Sequence, residues 1–296
     1  MKKINQRSMG RLGVLCGLLP AATSSFVAVC THTDGWVAAL VRATRVIVPR
    51  PQIFGAFHLS MLALCLALMV VVAVFYRKFP RARLDDVLFY AGVFLFVMEW
   101  YKQLYYPVVL TGGRYNFGIL PLQLCSYALY LYLLIPFLKD GRFKDALLDF
   151  AGLYLTMGGC IVMGYPTLYE DLALSLHTML WHTVMIGVGM LTLLVRSERR
   201  SYLRQMLSAG GVFVCTVAVA MGLNFVLTPY TDGSYQPLNL FYISPYIQSH
   251  YIVIGDVQRL FGWAWSVVAY VGMFIGLGAN VVWLVGRGIK LLHRDG

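Results

Sequence analysis

Apolar residues run in long unbroken stretches along this chain, and the polar residues between them fall in short clusters. Runs near twenty residues are what a helix needs to cross roughly 30 Å of hydrocarbon. The pattern predicts seven membrane-spanning helices at approximately His58–Tyr76, Val87–Leu104, Phe117–Leu138, Ala146–Tyr165, Ser175–Leu194, Leu207–Thr228 and Trp263–Gly286. The apolar runs are continuous rather than alternating, which argues against a transmembrane barrel. The expected fold class is all-α, a polytopic transmembrane helical bundle with seven core spans.

An eighth apolar stretch, Leu12–Cys30, follows Lys2, Lys3, Arg7 and Arg11. A basic head before an apolar centre is the layout of a signal peptide or a signal anchor. No small-x-small cleavage site ends the stretch, which favours a retained anchor. The chain then divides into residues 1–57 (basic head, signal-like segment and linker), 58–286 (the seven-span membrane domain) and 287–296 (a basic tail).

Composition agrees with this division. Of 296 residues, 59% are hydrophobic and only 12% charged, too little charge to cover a soluble domain. A net charge of +11 raises the question of nucleic-acid binding, and the placement of the charges answers it. They gather at Arg77, Lys78, Arg81 and Arg83, at Lys139, Arg142 and Lys144, at Arg196, Arg199, Arg200 and Arg204, and at Arg287, Lys290 and Arg294. These are the loops after the first, third and fifth spans, and the tail. The loops between them carry only Arg114, none, and Arg259. That is the positive-inside pattern of a multi-pass protein of the cell membrane with a cytoplasmic C-terminus. Membrane lipids are the expected partners, and nucleic acid is not.

Six cysteines suggest no metal centre and no extended disulfide framework; only Cys16 and Cys30 could pair, if the N-terminal region is retained and exported. Cys65, Cys125, Cys160 and Cys215 fall within expected spans, where a thiol acts as a small apolar residue. No CxxC or Cys/His ligand spacing appears, so no metal and no cofactor is expected.

Candidate chemistry comes from depth. At about 1.5 Å of rise per residue, Cys125 and His182 would lie roughly 11 to 12 Å below the outer end of their spans. Glu99 and Asn224 would lie about 6 to 8 Å down, with Lys102 nearer the surface. Ionisable groups at such depth are costly and point to function. An imidazole can take a proton from a thiol and return it to a leaving group, and a carboxylate can hold the imidazole in one tautomer. Cys125, His182 and Glu99 are the catalytic candidates, with Asn224 or Gln123 as donors to a developing oxyanion. Plainer roles exist for each. Cys125 could be a packed thiol, Glu99 could pair with Lys102 three residues on, and Asn224 could join helices. His177, two residues inside its span, is expected at the interface. Gln123, offset about 200° from Cys125 on an ideal helix, is expected to face another neighbour. Asp149 and Asn280 fall toward the inner face, outside this group. The outer segment Pro229–Gly262 is rich in aromatic and turn residues. It suits an interfacial anchor, or a lid that brings Tyr242 over the site.

LPLQLCSY at Leu120–Tyr127, His182 two spans later, Asn224, and FYISPY at Phe241–Tyr246 resemble the YwaF family of bacterial integral membrane proteins. The resemblance covers about residues 58–286. That family looks distantly related to a eukaryotic membrane acyltransferase that remodels ether phospholipids through a cysteine in the matching motif. It is more remotely similar to intramembrane hydrolases of fatty-acid esters. The resemblance implies Cys125 as an acyl-accepting nucleophile, His182 as its base and an acyl lipid as substrate. Bacterial relatives often carry histidine where this chain has Gln123, so any role of that histidine is not carried over. The rival expectations are a small-solute transporter, with Glu99, Lys102, His182 and Asn224 along a polar path, and a noncatalytic membrane subunit.

Overall fold

Long apolar runs become long helices because hydrocarbon offers the backbone no partner, so its polar groups must be satisfied within the segment. The computed structural model describes residues 6–31, 34–198, 200–231, 233–234, 236–249 and 251–292. In it the runs fold as α1 (Gln6–Thr31), α3 (Ala56–Phe75), α4 (Leu84–Tyr105), α8 (Leu172–Ser197), α9 (Tyr202–Thr231) and α11 (Trp263–Leu292). Two further helices, α6 (Arg142–Phe150) and α7 (Thr156–Gly164), join through the π-helical turn Ala151–Leu155 into one rod. Shorter helices are α2 (Trp36–Ala43), α5 (Tyr127–Leu134) and α10 (Ile252–Phe261). Among the described residues six helical segments are long and apolar enough to cross a membrane, α1 included, and there is no strand beyond an isolated bridge from Ile47 to Asp171. The protein is an all-α polytopic bundle.

Two elements form the centre. Within its most apolar 18 residues, the α6–α7 rod is 72% buried and α8 67%, against 6% for α1, which lies on the outside. The rod and α8 touch backbone to backbone. A Cβ on Gly152 would stand 2.9 Å from the Leu193 nitrogen, so only glycine allows this approach. Ring stacking ties the rod to α9 and α11, with Tyr154 4.5 Å from Phe213 and Phe213 5.3 Å from Phe274.

One end of the bundle collects the basic residues. There Asp149, fully buried, accepts hydrogen bonds from Arg196 Nε (2.9 Å) and Ser208, and pairs with Arg200 Nε at 3.0 Å. Asp145 takes Arg196 Nη1 at 2.6 Å and Arg200 Nη1 at 2.9 Å. Lys144 pairs with Asp85 at 2.8 Å, and Arg11 with Asp86 at 2.6 Å. Arg196 and Arg200, expected only as topology signals, thus close a two-by-two ion network across α6, α8 and α9. Arg199 and Arg294 lie outside the described residues.

The third expected span differs most from the sequence-based picture. Phe117–Leu138 is not one helix. It begins with a 3-10 turn at Phe117–Ile119, passes through an irregular Leu120–Gln123, tightens again at Leu124–Ser126, and is α-helical only over Tyr127–Leu134. Pro121 explains the break, since it lacks an N–H and disfavours helix at the residue before it. Pro136 sits in the closing 3-10 turn Ile135–Phe137. A depth for Cys125 counted at helical rise therefore does not apply, because the residues above it are not helical. The long polar segment is also shorter than expected: α9 carries Pro229 and continues to Thr231, and α10 occupies Ile252–Phe261.

Candidate functional site

The end opposite the ion network holds the broken segment, and buried irregular backbone must find its partners in side chains. The stretch Leu238–Phe241, which descends into the bundle with Leu238, Leu240 and Phe241 buried, is held in this way. Asn224 donates from Nδ2 to the Leu240 carbonyl at 2.9 Å and accepts the Leu240 N–H on Oδ1 at 2.8 Å. Gln123 donates from Nε2 to the Asn239 carbonyl at 2.9 Å and accepts the Phe241 N–H on Oε1 at 2.8 Å. The Thr228 hydroxyl donates to the Leu238 carbonyl, and Thr231 Oγ1 accepts the Leu238 N–H, both at 2.8 Å. Six side-chain bonds clamp four residues. The clamp keeps Phe241 and Tyr242 in the left-handed region, at φ 56° and 57°, a conformation costing about 1–2 kcal/mol per residue outside glycine. Both ends of the Gln123 and Asn224 amides are engaged by this segment. Gln123 does face another neighbour than Cys125, and that neighbour is the loop.

Beneath the clamp lies a charged cluster. Lys102 Nζ sits 2.8 Å from Glu99 Oε2, the i,i+3 pairing that the sequence allowed. Glu99 also accepts from Gln103 Nε2 at 2.6 Å, and Gln103 in turn accepts from the Tyr115 hydroxyl at 2.9 Å. Cys125 lies at the 3-10 turn that leads into α5, partly accessible, and its carbonyl accepts from Trp181 Nε1 at 3.3 Å. Lys102 and Glu99 are within electrostatic reach of its thiol.

Two histidines of α8 complete the cluster. His182, buried, donates from Nδ1 to the Thr178 carbonyl at 2.7 Å, leaving Nε2 buried and without a hydrogen-bond partner. A donor bond at Nδ1 fixes the tautomer in which Nε2 carries a lone pair. His177, expected near the membrane interface, is buried within the protein. Its ring stacks on Trp181 at 5.5 Å and it lies within electrostatic reach of Lys102 and His182, again with Nε2 unpartnered. Both His182 nitrogens are accounted for without the thiol, so no hydrogen bond joins Cys125 to His182.

Tyr242 sits at the rim, its ring edge-on to Tyr251 at 5.3 Å. Burial, with lesser contributions from Cys125 and Tyr169, pushes its phenol up to about 12, so it remains a neutral donor near pH 7. The residue that counting along the chain missed is His177. The one signal for it was its four-residue spacing to Trp181 on a helix face that also carries His182.

An all-α bundle of apolar rods, closed by ion pairs at one end and holding a polar, partly unsatisfied cluster at the other, is an integral, multi-pass membrane protein. No family model matches the chain, and no curated protein or solved structure does either.

Proposed function

We propose that this protein is a cysteine-dependent enzyme of acyl lipids, a transferase or hydrolase, with the basic end in the cytoplasm and the site in the outer half of a bacterial plasma membrane. The positive-inside rule supports the orientation. The resemblance of Leu120–Tyr127 and its companion residues to the YwaF family supports the substrate class. The observation that carries the chemistry is a half-buried Cys125 at a helix entrance, within electrostatic reach of the Lys102–Glu99 pair, and an unpartnered His182 Nε2 on α8, the helix whose Trp181 bonds the Cys125 carbonyl.

In the reaction, the Cys125 sulfur attacks the ester carbonyl of a lipid. The C–S bond forms, the ester C–O bond breaks, and the thiol proton passes through His182 Nε2 to the departing alkoxide, which leaves as a lysolipid hydroxyl. An acceptor hydroxyl or water then attacks the thioester and returns the proton to sulfur. Lys102 and the start of α5 favour negative charge on the oxyanion. Gln123 and Asn224 act one step removed, by fixing the loop that roofs the site, and Tyr242 borders the entrance.

The test is release of lysophospholipid from vesicles containing the purified protein. Cys125→Ala should abolish it, and His182→Ala should reduce it by about 100-fold or more, the usual scale for a general base. Unchanged turnover in Cys125→Ala would remove the thiol from the mechanism. The absence of a Cys125–His182 hydrogen bond favours a second reading, a noncatalytic membrane subunit. That reading predicts that both substitutions leave function in the cell intact.

A further inference from the structure

The N-terminal helix α1 touches the bundle lightly, at two levels. Near the basic end, Arg11 bonds Asp86 at 2.6 Å and the Pro136 carbonyl at 3.0 Å. Farther along, Trp100 Nε1 donates to Ser25 Oγ at 2.8 Å. The two contacts are the same number of residues apart on α1 and α4, so the helices run parallel and side by side for about 20 Å. A groove of about 920 Å³ flanks the Arg11–Asp86 contact, with Arg7, Arg11, Arg83 and Asp86 at its mouth and Val14, Val87 and Tyr90 along its walls. Gly10 lines it, and a Cβ at Gly10, Gly13 or Gly17 would meet nothing within 4 Å.

This profile is that of an amphiphile. The mouth carries more positive than negative charge, since Arg7, Arg11 and Arg83 surround the single carboxylate of Asp86, which lies 2.6 Å from Arg11 and 3.7 Å from Arg7. Arg7 to Val14 on α1 is about 10 Å of helix, which takes the wall from headgroup level into hydrocarbon. Among cytosolic anions, a phosphate ion would match the mouth and leave the apolar wall uncovered. A phospholipid with a net negative head covers both.

We propose that the α1–α4 groove seats one anionic phospholipid from the leaflet bordering the basic end. Its phosphate lies between Arg7 and Arg83, and an acyl chain fills the space beside Gly10 and Val14. The lipid is a structural ligand that fastens α1 to the bundle. It is independent of the acyl substrate proposed above, which would bind at the opposite end.

Native mass spectrometry of the full-length protein in neutral detergent tests this, with thermal unfolding as a second readout. Dioleoyl phosphatidylglycerol should remain bound and raise the unfolding temperature, while dioleoyl phosphatidylcholine and millimolar inorganic phosphate should do neither. Arg7→Gln/Arg83→Gln should weaken phosphatidylglycerol retention by about tenfold or more, given about 1 kcal/mol for each basic residue at an anionic surface. Gly10→Leu, which fills open space and changes no charge, should block retention by occupancy. Equal retention of phosphatidylcholine overturns the proposal, as does stabilisation by phosphate alone. So does phosphatidylglycerol retention that neither variant alters, or a dimer in place of the lipid adduct that Gly10→Leu abolishes.

Discussion

Two polar clusters sit at opposite ends of the same bundle, built from similar charged groups, and they are finished differently. At the basic end, Asp145 and Asp149 meet Arg196 and Arg200 in equal number, with four ion pairs between 2.6 and 3.0 Å. Ser208 takes up part of what remains on Asp149. At the other end, Glu99 and Lys102 also pair, but His177 and His182 each keep a buried ring nitrogen without a partner, and Cys125, half-buried, lies within electrostatic reach of the Glu99–Lys102 pair. The first network is closed in charge, each carboxylate and guanidinium paired, although Arg200 Nε and Gln205 Nε2 beside it also lack a hydrogen bond. Such a network holds helices together. An open one retains groups that can act on something else, and buried unsatisfied atoms persist only where they have a use or a strong constraint.

The largest effect should come from breaking the closed cluster. Asp149→Ala leaves Arg196 and Arg200 sharing Asp145 alone, beside a position that was fully buried, and losing one partner of a buried pair costs about 3–5 kcal/mol. Thermal unfolding in detergent should show most of that loss, and a shift near zero would mean the network is solvated. The loop clamp comes next. Asn224→Ala removes two bonds to buried Leu240 groups and should cost about 2–3 kcal/mol, since each stranded group carries a desolvation penalty. Hydrogen exchange over residues 238–244 should rise sharply in this variant. Gln123→Ala should act on the same segment, so the two losses should not add.

At the open cluster the effects on stability should be smaller. Glu99→Gln leaves Lys102 unpaired and should cost about 1–3 kcal/mol, whereas Glu99→Gln/Lys102→Met should recover part of it. If the double variant is no better than the single one, the pair is not the unit that matters. Smallest is Cys125→Ala, about 1 kcal/mol, for a half-buried residue losing one atom. A stability loss as large as that of Asp149→Ala would make Cys125 a packing residue.

Much of the architecture was legible before any coordinates. The rods follow from run length alone, because a span needs about twenty apolar residues whatever their identity. The break at Pro121 was not legible from hydropathy, which is insensitive to backbone conformation. The run Leu120–Leu138 reads the same whether its first residues are helical or irregular. That one error moved Gln123 from a helix face to a loop clamp and removed the ruler by which Cys125 had been placed. The Glu99–Lys102 pair was legible because i,i+3 contacts are local. The Asp149 network was not, since it joins α6 to α8 and α9, and Arg196 and Arg200 seemed fully explained as topology signals. His177 was missed because depth along a helix says nothing of whether a side chain faces the bundle, where its ring is buried against Trp181.

The contrast between a closed and an open cluster rests on what Cys125 does. Intact-mass measurement of the purified protein, after incubation with vesicles of an acyl phospholipid, reads this directly. The account predicts a mass increase of one acyl group, mapped to Cys125 by digestion, reversed by hydroxylamine and absent in Cys125→Ala. An unmodified chain that nonetheless converts the lipid, or an acyl adduct that survives Cys125→Ala, would contradict it.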